Sequence, residues 1–84
     1  MFVVEWELSA MDDFAEISML HSHRWHDINA ADNDITKKLQ KNPLQFSLPV
    51  SEGLRRIMSE PLAVFFSMDG NHVHIEAVGW ISDP

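Results

Sequence analysis

The stretch LAVFFSMDGNHVHIEAVGW, residues 62–80, decides the fold. Leu62 to Met68 is rich in apolar and aromatic residues, so a strand is expected. Asp69-Gly70 favours a tight hairpin turn. From His72 the chain returns as a second strand. Alternate residues of a strand share a face. Val73, Ile75, Ala77 and Ile81 are therefore expected on the core side. His72, His74, Glu76 and Trp80 fall on the other.

Working back from this hairpin, Leu54 to Met58 (LRRIM) reads as a further strand, punctuated by Ser59-Glu60-Pro61. Residues 43–53 hold two prolines, serine and glycine, and read as a loop. Before it, Trp25, Ile28, Ala31 or Asp32, Ile35 and Leu39 recur at helical spacing. Lys37, Lys38 and Lys41 crowd the last turn, where the helix dipole favours cations. Asn42-Pro43 closes this helix. A first helix is expected over residues 10–22, with Ala10, Phe14, Ile17 and Leu20 or His21 along one face. Ser9 and Asp12 have the spacing of a capping box. Residues 2–8 alternate, with Phe2, Val4, Trp6 and Leu8 inward and Val3, Glu5 and Glu7 outward. The order is β-α-α-β-β-β. It implies an α+β domain, a mainly antiparallel sheet with two helices packed on one face.

At 84 residues, positions 1–84 are expected to form a single domain. The absence of cysteine excludes disulfides, thiolate metal sites and cysteine nucleophiles. The opening MFVVEWELSA carries two glutamates and no basic residue, unlike a signal peptide. No apolar run approaches the ~20 residues of a membrane span, so a cytoplasmic protein is expected. The net charge is −7. That argues against direct nucleic-acid binding, which needs clustered lysine and arginine.

Several segments together resemble the RelE/ParE superfamily of bacterial toxins, the plasmid-stabilisation type found in toxin–antitoxin pairs. VEWELSAMDDFAEI is similar to the family's first strand and acidic first helix. AADNDITKKLQKNP is similar to its second helix and closing Asn-Pro. EGLRRIM and PLAVFFSMDGNHVHIEAVGW are similar to its later strands and hairpin. The resemblance covers nearly the whole chain through the order and spacing of loose motifs. It implies the family fold, an antitoxin partner that wraps the toxin, and one of two activities. One branch cleaves mRNA at the ribosome with lysine and arginine side chains and a nearby tyrosine or histidine. The other poisons DNA gyrase. Here Leu62 stands where the family's hairpin strand usually opens on arginine, Trp80 stands where an ionisable ring is expected, and there is no tyrosine. Of the usual basic set Arg55 and Arg56 remain, and neighbours on a strand point to opposite faces. These departures argue against a ribonuclease and for a divergent toxin acting through protein binding, to an antitoxin or to itself. A decayed, non-toxic binding module is a further reading.

The candidate catalytic residues for the ribonuclease alternative are Arg55, Arg56 and His74, with His74 as acid or base beside an arginine. His72, His74 and Glu76 do not suit one metal ion, because the outer two lie roughly 13 Å apart along a regular strand. His21, His23 and His26 have no pair at i,i+4 spacing and read as a polar connection between helices. No cofactor is called for. The aromatic residues exceed what a small core needs, and Phe65, Phe66 and Trp80 are the candidate partner contacts.

Overall fold

The computed structural model describes residues 1–81. In chain order it has strand β1 (Val3–Trp6), helix α1 (Leu8–Leu20), a short 3-10 turn (Ser22–Arg24), helix α2 (Trp25–Lys41) and strands β2 (Leu48–Ser51), β3 (Leu54–Ser59), β4 (Leu62–Asp69) and β5 (His72–Trp80). The strands form one sheet in the order β1-β5-β4-β3-β2. Among the described residues only the β1–β5 pairing is parallel. Parallel neighbours need a long crossover, and the two helices are part of that connection. Both helices lie on one face of the sheet, as the α+β reading anticipates.

The hairpin of β4 and β5 turns through Gly70-Asn71, with Asp69 and His72 paired across it. Gly70 has a positive φ of 61°, the backbone that a glycine in the first central turn position supplies. The turn therefore sits one residue later than an Asp-Gly centre would place it.

The core joins Ala10 and Ile17 of α1, Ile28, Ala31, Ile35 and Leu39 of α2, and Ile57, Leu62, Val64, Phe66, Val73, Ile75 and Val78 of the sheet. The helical spacing Ile28-Ala31-Ile35-Leu39 is thus the buried stripe of α2. Trp6 and Phe14 pack edge to face at 5.6 Å and extend this core toward the α1–α2 cleft.

Four expectations need correction. First, residues 43–53 are not all loop. Residues 48–51 add an edge strand, paired antiparallel with β3 although Pro49 lies within it. Second, Leu8 begins α1 and is exposed, so it is not an inward residue of the first strand. Third, Ser9 and Asp12 form no capping box. The residue preceding α1 is Glu7, with no side-chain cap. Ser9 instead donates its hydroxyl to the Glu76 carbonyl at 2.8 Å.

The fourth concerns β5. Phe65 pairs with Ala77 and Phe66 pairs with Ile75, so Glu76 is an extra residue without a partner on β4. Such a bulge shifts the alternation by one. Before it, Val73 and Ile75 face the helices. After it, Val78 and Trp80 do, as partners of Val64 and Leu62, and Ala77 turns away. Trp80 therefore leaves the face of His74 and stacks on His21, with ring centroids 3.6 Å apart. The bulge also marks where β1 ends, since Trp6 pairs with Ile75. Beyond that point α1 replaces a strand at the edge of β5. Ser9 takes the Glu76 carbonyl, and the Asp13 carboxylate accepts the Val78 N–H at 3.0 Å.

A charged acceptor on a buried backbone N–H is worth about 1.5–3 kcal/mol. Asp13→Ala is expected to lower unfolding free energy by that amount in urea titrations. Asp12→Ala, on the exposed side of the same helix, is expected to stay within ~0.5 kcal/mol. The reverse ranking would restore the capping-box reading.

Candidate functional site

Among the described residues, no helix or strand covers the sheet face away from the helices. Glu5 pairs across with His74 and Val3 with His72, placing an imidazole–carboxylate cluster on the β1–β5 side. The His74 Nδ1 lies 3.2 Å from Glu7 and 3.4 Å from Glu5, and the His72 Nδ1 lies 3.4 Å from Glu5. These contacts are ion pairs only when the rings are protonated. Among the described residues, no group of three or more histidine, aspartate or glutamate side chains is arranged to hold a metal ion.

The three candidate catalytic residues are not brought together. Arg56 is the cross-strand partner of Phe65, and His74 is the partner of Ser67, so both lie on the open face. They stand two strands apart, roughly 10 Å across the sheet. His74 faces carboxylates rather than an arginine. Arg55 pairs with Phe66 and points to the helix side. There its guanidinium donates to the Ser47 hydroxyl at 2.8 Å and the Ser47 carbonyl at 3.0 Å, and reaches the Leu44 carbonyl at 3.4 Å. Ser47 in turn donates its hydroxyl to the Pro43 carbonyl. The position of Arg55 is thus that of a tie holding the segment before β2. Proton transfer and phosphate stabilisation need groups converging on one spot, and among the described residues Arg55, Arg56 and His74 do not converge on this face.

The three candidate partner contacts also part company. Phe66 is 0% exposed and belongs to the core, because it points toward the helices beside Ile75. Trp80 is turned inward by the bulge. Phe65 remains half-buried on the open face, with its ring beside Gly79.

Exposed apolar surface also lies beyond these three residues. One part is the outer side of α1, with Leu8, Met11 and Met19. Beside it runs a cleft of about 330 Å³ lined by Trp6, Met11, Phe14 and Asp32. Burial raises the Asp32 carboxyl above its ordinary value. The other part is the segment leading into and along β2, where Leu44, Phe46, Leu48 and Val50 are all exposed. Next to it a cleft of about 220 Å³ is lined by Leu44, Pro49, Leu54, Arg55 and Met68, among others. Sequence reasoning passed over this second surface. Its signal was the alternation of four apolar residues, masked by Pro43 and Pro49.

With this arrangement in view, the solved structures it matches are informative. A chain of the chromosomal ParDE toxin–antitoxin system from P. aeruginosa superposes with a TM-score of 0.70, covering 98% of each chain at 20% identity. The fold is RelE/ParE-like. The RelBE2 toxin–antitoxin complex from Mycobacterium tuberculosis matches at 0.64 and 14% identity, over 94% of this chain and 96% of that one. A conserved hypothetical protein from Helicobacter pylori also gives 0.64 at 14% identity, over 95% and 94%. No family model matches the sequence, and no curated protein matches it significantly. At these identities the RelE/ParE-like likeness concerns architecture, and it extends over almost the entire domain. Among the described residues no helix is long and apolar enough to cross a membrane.

A carboxyl raised by burial penalises the folded state once it ionises. Asp32→Asn is expected to raise the melting temperature at pH 7. The gain should shrink as pH falls through the raised value and vanish below the ordinary value of 3.8. A melting temperature that drops at pH 7 would mean that the Asp32 charge is stabilised in place.

Proposed function

We propose that this chain is the toxin-type component of a toxin–antitoxin pair, acting in the cytoplasm mainly through protein contacts. The observation that carries the reading is the end-to-end match to chains from the ParDE and RelBE2 systems. Two features of the surface support a protein partner. Several large apolar residues are exposed on α1 and in the segment of residues 44–50, and a concentration of exposed apolar side chains is what interaction surfaces carry. The chain is also acidic overall, a poor surface for ribosomal RNA. The antitoxin is the proposed partner. Of the two activities that the resemblance implies, the gyrase-directed one is preferred, because it does not need a converging set of basic and acid–base groups. The ribonuclease alternative draws on the shared face of Arg56 and His74, and their separation across two strands weighs against it.

Induced expression in bacteria tests both. The expected outcome is growth arrest with an intact reporter mRNA and with inhibited DNA supercoiling in an extract. Arrest should persist in His74→Ala. Reporter cleavage that disappears in His74→Ala or Arg56→Ala would establish the ribonuclease instead. Normal growth at high soluble expression would overturn the toxin reading.

A further inference from the structure

The cleft between α1, α2 and the end of β1 holds a carboxylate that the fold leaves without a partner. Asp32 follows Ile28 by four residues and precedes Ile35 by three, and both isoleucines are buried in the core. It therefore sits on the flank of the apolar stripe of α2 rather than on the wet side of the helix. No lysine or arginine stands three or four residues from it. Lys38 is taken by Asp34 at 3.0 Å, Arg24 by Asp27 at 3.1 Å, and Arg55 by the Ser47 segment. Among the described residues Asp32 makes no hydrogen bond or ion pair. Burial raises its carboxyl, with no cation or donor acting in the other direction. A charged group that costs the fold stability and serves nothing inside it is an arrangement typical of binding sites.

The rest of the cleft has matching chemistry. Trp6, Met11 and Phe14 line it, and its volume of about 330 Å³ lies at the small end of the range for small-molecule sites. The Trp6 and Phe14 rings meet at 79° with centroids 5.6 Å apart, so they form two walls of a corner. Both rings pack against the buried core, which fixes these walls in advance of any ligand. Aromatic faces attract cations. Met11, 52% exposed on α1, adds an adaptable thioether beside them. A neutral apolar ligand would fill the walls and leave the Asp32 charge desolvated without compensation. An anion would be repelled. An ammonium group on a short apolar or aromatic body satisfies both parts, through charge-assisted hydrogen bonds to the carboxylate and contact with the rings.

We propose that the α1–α2 cleft is a binding site for a small primary amine, with its ammonium on the Asp32 carboxylate and its apolar body against Trp6, Met11 and Phe14. The occupant is a free molecule rather than a side chain of a protein partner. A cleft of this volume takes a whole ring-bearing molecule, and a single lysine stem would leave much of it empty.

The probe is 2-phenylethylamine, with 2-phenylethanol as its neutral counterpart and Nα-acetyl-lysine methylamide standing for a protein side chain. Two-dimensional NMR of the whole protein at pH 7 should show the amine binding with a dissociation constant of about 1 mM or below, roughly tenfold tighter than the alcohol. The Trp6 indole and Met11 methyl signals should move most. Asp32→Asn should melt higher than the parent and yet bind amine and alcohol equally, so the lost preference is not a loss of folding. Met11→Lys, at an exposed position, sets an ammonium beside the cleft and should weaken the amine severalfold. The proposal is overturned by equal affinity for amine and alcohol in the parent, or by tighter binding of the lysine amide. Shifts centred on Glu5, Glu7 and His74, an unchanged preference in Asp32→Asn, or no binding at millimolar amine would overturn it as well. The measurement does not depend on toxicity. Normal growth in the expression assay would remove the toxin reading and leave the amine result standing.

Discussion

Strand β5 is the member on which the rest of this fold depends. It pairs with β4 through a two-residue turn, the cheapest of connections. It pairs with β1 in parallel, which obliges the intervening chain to travel away and return. The helical pair occupies that journey, and its apolar stripes cover the sheet face that β5 helps to build. Where β1 stops, α1 continues the work at the same edge. Ser9 and Asp13 serve the backbone of Glu76 and Val78 much as a strand would. One strand is thus satisfied by a parallel neighbour, an antiparallel neighbour and a helix.

The architecture was legible because its long elements are periodic. The Ile28-Ala31-Ile35-Leu39 stripe, the alternation of Phe2, Val4 and Trp6, and the Asp-Gly turn each point to one local structure, and together to one α+β topology. Several misreadings involve a residue whose role depends on a partner outside its own element. Ser9 has helix-start chemistry, yet its partner is Glu76. Arg55 looked available for a site, yet it is engaged by Ser47 and Leu44. The face of Trp80 was inferred from strict alternation, and no local signal marks Glu76 as the bulged position. Pro43 and Pro49 suggested a loop, and they concealed a strand that an edge tolerates.

The candidate site is less legible than the fold for a physical reason. Strand alternation places His74 and Arg56 on the open face, but their separation depends on register and strand order. Register brought His74 to Glu5 and Glu7, and strand order kept Arg56 two strands off. The cleft that stands out instead draws Trp6, Phe14 and Asp32 from three elements. Each was present in the bare chain on or beside an apolar face, Asp32 only as an alternative to Ala31. They acquire meaning together only once packing sets the carboxylate and the two rings around one cleft.

The Glu76 bulge bears on how sequences of this fold are compared. Upstream of it, odd-numbered positions of β5 are core; downstream, even-numbered ones are. A homologue lacking that one residue would keep the same strand neighbours and carry its terminal aromatic on the same side of the sheet, one position earlier in its sequence. Gap placement at that single column therefore decides whether a ring near the end of the chain is aligned with a core residue or with a surface one.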